Sequence, residues 1–150
     1  RERRNSEKLK ENVVLMEIPK RIVLDTTILI EHLRNKSDVI NKLEDAELAT
    51  TVINAFELYF GAFKSKKVEK NLTAAKGLLS TLDLLCITDS SAEKAGRMLA
   101  ELQAKGRHIE IRDLFIGSIA LEEGFSILTH NKQHFEVLPE LHVIAPSEIR

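Results

Sequence analysis

The feature that most limits how this chain can fold is an alternation of two patterns. Short runs of aliphatic and β-branched residues recur between longer stretches of helical periodicity. The first run, IVLD (Ile22 to Asp25), reads as a strand buried on both faces, because it has no polar alternation. ILIEHLR follows as a helix, and Ser37 is placed to cap a second one, SDVINKLEDAE. ELATT is the second strand. VINAFELYFGAF is a strongly apolar helix ending near Lys64, and KVEKNLTAAKGLLSTL is a further helix that Gly77 weakens. LLCIT is the third strand. Ser90 and Glu93 match a capping box before SAEKAGRMLAELQAKG. Asp113 opens DLFIGSIALEEG, and Gly124 suits its C-terminal end. SILT and LHVIA are the fourth and fifth strands. Strands separated by helices need crossover connections rather than hairpins. The expected fold is therefore a three-layer α/β/α domain with a central, mainly parallel five-stranded sheet.

A chain of 150 residues suffices for one such domain and its core. No repeat or linker interrupts it. The formal net charge of −1 excludes a global basic field as the means of holding nucleic acid. Positive charge must then be local, or cations must neutralise an acidic centre. No apolar run approaches the roughly 18 residues that would span a bilayer, so no membrane partner is expected. Cys86 is the single cysteine and cannot form an intrachain disulfide. It lies in the apolar run LLCI, where a buried thiol is expected, and it points to a cytoplasmic location. Residues 1–15 read as a tail ahead of Met16. They either lie upstream of the natural start or were added to it, or else they form a short N-terminal helix.

Open parallel sheets place their sites beyond the carboxyl ends of the strands. Asp25 ends the first strand, Asp113 starts a helix, and Thr129, His130 and Asn131 follow the fourth strand. Glu57 lies in the helix after the second strand. Each acid has an ordinary reading. Asp113 can be a helix N-cap, Asp25 with Thr26 and Thr27 can form a turn, and Glu57 can join a structural ion pair. Glu57 is the hardest to explain so, because Val52, Ile53, Ala55, Phe56, Leu58, Tyr59 and Phe60 leave it little polar face. A partly buried carboxylate needs a cation or hydrogen-bond donors. Three acids at one sheet edge repel unless they are protonated or bind cations, and magnesium or manganese accepts such hard oxygens.

In this order VLDTTILI, TTVINAFELYFGA, IRDLFIGSIAL and ILTHNKQHF resemble PIN domains, and VapC toxins most closely, over roughly residues 21–146. The resemblance implies a PIN domain over 16–150, with catalytic, metal-binding acids Asp25, Glu57 and Asp113 around Mg2+ or Mn2+. Thr26, Thr129 and Asn131 would support them. Asn131 stands where many members have a fourth acid, and His134 where aspartate is often found. The implied activity is hydrolysis of RNA phosphodiesters, with Asp25 and Asp113 as the principal ligands. The implied partners are a VapB-like antitoxin and a second copy in a homodimer or higher assembly. An antitoxin arginine can pair with the acids, and the apolar helices before Gly61 and after Ser37 can supply its groove.

Other signals leave alternatives open. Lys105, Arg107 and His108 can contact phosphates, as can Lys64, Lys66, Lys67 and Lys70, or both clusters can be solvated. Arg112 is either a substrate contact or an ion-pair partner of Asp113. Tyr59 and Phe60 can stack on bases, although core packing is the simpler expectation. His130 and His134 have zinc spacing but no third ligand. There is no Gly-rich phosphate loop and no nucleophile elbow. Thr27 stands where a haloacid-dehalogenase phosphatase would want its second acid. Alternatives to the toxin are a PIN nuclease in RNA processing and a catalytically silent PIN domain that binds RNA or protein.

Overall fold

In the computed structural model, which describes residues 18–150, β1 (Arg21–Leu24) lies at the centre of the sheet. It pairs in parallel with β2 (Glu47–Thr51) on one side and with β4 (Ser126–Leu128) on the other. Beyond β2 lies β3 (Asp83–Leu85), and beyond β4 lies β5 (Val143–Ile144), so all four pairings are parallel. The order β3-β2-β1-β4-β5 makes β1 the strand from which the chain turns first to one side and later to the other. A crevice opens at such a reversal, beyond the carboxyl ends of the strands.

The period of two along each strand divides the core. Val23, Ala49, Ile127 and Val143 face one layer, packing with Met98 and Leu102 of α4 (Asp89–Ala104) and Leu114, Ile116 and Ala120 of α5 (Ile111–Glu123). Ile22, Leu24, Leu128 and Ile144 face the other layer. That layer holds α1 (Thr26–Leu33), α2 (Val52–Lys64) and α3 (Val68–Leu79). Strands covered on both faces explain the continuous apolar runs. The five-stranded three-layer expectation holds, and the sheet is wholly parallel. Residues 1–15 and Met16 lie outside the described residues.

Four local expectations need correction. The helix from Ser37 is absent: Asn35 takes a left-handed φ of 53° after α1, and only a 3-10 turn forms at Asn41–Leu43. Val39 and Leu43 both reach the core across that one turn, and Ser37 Oγ accepts only the Val39 N–H. The α4 cap is Thr88 with Ser91, not Ser90 with Glu93. Cys86 is exposed, because β3 is a three-residue edge strand that ends just before it. Finally, α5 starts at Ile111 with Glu110 at its N-cap, so Asp113 falls inside the first turn and caps nothing. Gly124 ends α5 as expected, in the left-handed region at φ 75°. A short α6 (Lys132–Phe135) follows β4. Among the described residues no helix is long and apolar enough to cross a membrane.

Candidate active site

Asp25 is the single residue between β1 and α1. Its N–H donates to Leu128 O at 3.0 Å, extending the β1–β4 ladder, and its side chain accepts the Thr26 N–H at 2.9 Å to cap α1. The carboxylate is 1% exposed. Asn54 Nδ2 donates to Oδ1 at 3.1 Å and Thr129 Oγ1 to Oδ2 at 2.7 Å. Burying a carboxylate is tolerable only with such donors.

Asn54 is itself fully buried and fully used. Its Oδ1 accepts from Thr51 Oγ1 at 2.7 Å and from the Thr51 N–H at 3.2 Å, while its Nδ2 also donates to Thr26 Oγ1 at 3.0 Å. Thr51 returns the favour by accepting the Ile53 and Asn54 N–H groups, which caps α2. Glu57 lies three residues further along α2, on the same face as Asn54. It is half-buried, as expected, and accepts from Thr26 Oγ1 at 2.7 Å. Asp113, from the first turn of α5, is nearly fully buried. An acid there is favoured by the helix dipole.

The guanidinium of Arg112 stands among the three acids. Nε donates to both Glu57 oxygens at 2.9 and 2.8 Å, Nη2 to Asp25 Oδ1 at 2.8 Å, and Nη1 to Asp113 Oδ1 at 2.6 Å. Burial alone would lower its pKa. The hydrogen bonds to Glu57 and Asp25 and their charges outweigh burial and hold it above the ordinary arginine value. The three acids therefore converge on one cationic group. Their donor set, all hard carboxylate oxygen and strongly attractive to positive charge, suits a divalent ion such as magnesium. As they stand the acids face the guanidinium, and among the described residues no three potential ligands form a ready cage.

Around this centre lies an open pocket of about 430 Å3, lined by Thr26, Glu57, Phe60, Arg112, Asp113, Asn131 and His134 among others. The structure thus brings Asp25, Thr26, Glu57, Arg112, Asp113, Thr129 and Asn131 together. Thr129 is fully buried and committed to Asp25, so it positions the acid rather than meeting a ligand. Its Oγ1 also accepts the Asn131 N–H at 3.0 Å. Lys105 and Arg107 are not at the pocket; they line a separate cleft with Val137 and Pro139. Phe60 is not core: it is 55% exposed, like Phe56 at 64% and Phe63 at 62%. His130 pairs with Glu31 at 2.9 Å, and His134 Nδ1 lies 3.6 Å from Asp113, so the two do not form a zinc site. Asn54 went unrecognised in the sequence. Its signal was an amide three residues after Thr51 and three before Glu57, in an otherwise apolar helix.

The PIN domain family model matches residues 22–141. The chain belongs to the PIN-domain family. Among relatives of this PIN domain, the tRNA(fMet)-specific endonuclease VapC of Shigella flexneri is 31% identical over 119 residues, 77% of this chain and 90% of that one. Its counterpart in Salmonella typhimurium is 30% identical over 126 residues, 82% and 96% of the two chains. Similar solved structures include two VapBC complexes. One is VapBC2 from Rickettsia felis bound to a promoter DNA fragment, with TM-score 0.76, 29% identity and coverage of 83% of this chain and 98% of that one. The other is DNA-bound VapBC from Salmonella typhimurium, with TM-score 0.77, 30% identity and coverage of 86% and 99%. The match runs along nearly the whole of each VapC chain, so this is a VapC-type PIN domain.

Proposed function

We propose that this PIN domain is a Mg2+- or Mn2+-dependent endoribonuclease that hydrolyses RNA phosphodiester bonds and is held inactive by a VapB-like antitoxin. The observation that carries the reading is the convergence of Asp25, Glu57 and Asp113, from three separate elements, on one point in an open pocket. Asp25 and Asp113 would be the principal ligands, with Glu57 binding directly or through water. When bound, the ion would lower the pKa of a water and offset charge on the phosphate.

The chain's own groups supply orientation. Thr129 and Asn54 fix the Asp25 carboxylate, and Thr26 fixes Glu57. Asn131 and His134 line the mouth where further acids would repel RNA, and both can donate hydrogen bonds to phosphate oxygens. The structural relatives are toxin–antitoxin complexes, which supports the partner. So does a groove of about 330 Å3 between α1, α2 and α3, lined by Ile30, Leu33, Leu58, Ala62 and Ala75 and reaching Glu57. Phe56, Phe60 and Phe63 form an exposed aromatic stripe on α2, a second surface suited to antitoxin or to a second copy in a homodimer.

The test is cleavage of total cellular RNA by the purified chain with Mg2+ or Mn2+, against Asp25→Asn. Metal-dependent cleavage by the parent chain and none by the variant is expected. Full activity in a folded Asp25→Asn defeats the assignment. The second reading, a catalytically silent domain, is favoured by the arginine that fills the acid centre. Absence of cleavage with every divalent ion would establish it.

A further inference from the structure

Arg112 stands where the three carboxylates meet. Its three guanidinium nitrogens between them reach all three acids: Nε meets Glu57, Nη2 meets Asp25 and Glu57, and Nη1 meets Asp113. One oxygen of Asp25 and one of Asp113 are engaged by it, and both oxygens of Glu57. An ion and this side chain therefore compete for the same lone pairs and the same negative field. The guanidinium also has an open way out. Its backbone sits in the first turn of α5, its side chain is 27% exposed, and the pocket in front of it is open. Glu110 on the pocket lining offers a solvent-facing carboxylate outside the centre.

We propose that Arg112 is a built-in counter-ion that competes with the divalent ion for the acid centre and sets its metal affinity. The proposal rests on the metal reading above. Without metal, Arg112 neutralises acids that would otherwise repel one another. With metal, its side chain swings out of the centre while the backbone stays in place. Metal binding is then an exchange of cations, and its affinity carries the cost of breaking the arginine's ion pairs. Asp25 and Asp113 are buried while the guanidinium is partly exposed, so rehydration of the freed arginine offsets much of the lost pairing, and the exchange weakens binding by about tenfold.

The experiment is Mn2+ binding by the full, metal-stripped chain, followed by the electron paramagnetic resonance of free Mn2+. The parent chain is compared with Arg112→Met and Arg112→Lys. Arg112→Met should bind Mn2+ about tenfold more tightly, and Arg112→Lys, which keeps the charge but loses the three-way fork, should fall between. If Arg112→Met fails to fold, Arg112→Lys carries the comparison. The parent chain gives an independent reading by NMR: the Arg112 Nε–H, held by Glu57, should be protected from exchange without metal and lose that protection on adding Mg2+. Mn2+ affinities equal across the folded chains, or an Nε–H still protected at saturating Mg2+, overturn the proposal and leave the metal reading standing. Failure of every chain to bind Mn2+ overturns both.

Discussion

Replacing Asn54 by aspartate exchanges one NH2 group for an oxygen at the most connected buried point of the site. In the parent chain Asn54 Nδ2 lies 3.1 Å from Asp25 Oδ1. A carboxylate oxygen there would set two negative charges at about that separation, a repulsion of about 5 kcal/mol at an effective dielectric constant near 20. Arg112 relieves it only in part, because its one positive charge already faces three carboxylates. Taking up a proton is the cheaper course. At pH 7 that costs about 4 kcal/mol, at 1.36 kcal/mol for each of the roughly three pH units above the ordinary aspartate value. The introduced acid therefore has a folded-state pKa above its unfolded one. Its penalty is absent below the unfolded value, near pH 3.9, and grows as pH rises toward the folded value. At pH 5 the proton costs only about 1.5 kcal/mol. Urea unfolding of Asn54→Asp and the parent chain at pH 5 and pH 7 should show a stability gap about 2.5 kcal/mol wider at pH 7. Asn54→Ala leaves donors and acceptors unpaired but adds no charge, so its deficit of about 1–3 kcal/mol should be nearly the same at both pH values. A gap for Asn54→Asp that does not change with pH would refute the buried juxtaposition with Asp25.

Thr51→Ala removes the α2 cap and one anchor of Asn54, and should cost about 1–2 kcal/mol in urea unfolding; a change under 0.3 kcal/mol would show that Asn54 holds its place without it. Phe60→Ser with Phe63→Ser removes exposed aromatic surface. Stability should change by less than about 0.5 kcal/mol per site, while affinity for a VapB-like antitoxin falls by at least about tenfold in calorimetry. Unchanged affinity would place that partner elsewhere. The hydrogen bond from Lys132 holds the Glu148 carboxyl below its ordinary range. Its contribution to stability is complete above the unfolded value and fades as pH falls through the folded one, so Glu148→Gln should flatten the acid limb of stability slightly, the pair being exposed. A steeper acid limb in Glu148→Gln would contradict that sign.

Much of the fold was legible because parallel strands buried on two faces leave continuous apolar runs, as IVL at β1 does. The helix bounded by Thr51 and Lys64 also fell where its pattern put it. What escaped was decided by tertiary context. Ser37 begins a plausible helix, but two core contacts one turn apart satisfy the segment. Cys86 follows two leucines, yet edge position decides its exposure. Asp25 and Asp113 were legible from their places at strand and helix ends, and Glu57 from the lack of a polar face around it in an apolar helix. The helix-cap explanation of Asp113 fell once α5 proved to begin two residues earlier. The central place of Arg112 was not legible, because adjacency to Asp113 says nothing of Asp25 and Glu57, 87 and 55 residues away. Asn54 was hidden for a similar reason: a lone amide in an apolar helix reveals a need for partners but not which ones.

Thr129 also governs when the site can exist during synthesis. Its hydroxyl meets a carboxylate made 104 residues earlier, and the strand leading to it completes the flank of β1. At ordinary translation rates of about 5–20 residues per second, Asp25 waits roughly 5–20 s for that partner to be made. Asp113 too is made only late in that interval, so the centre can come into being only after the chain has been made through β4.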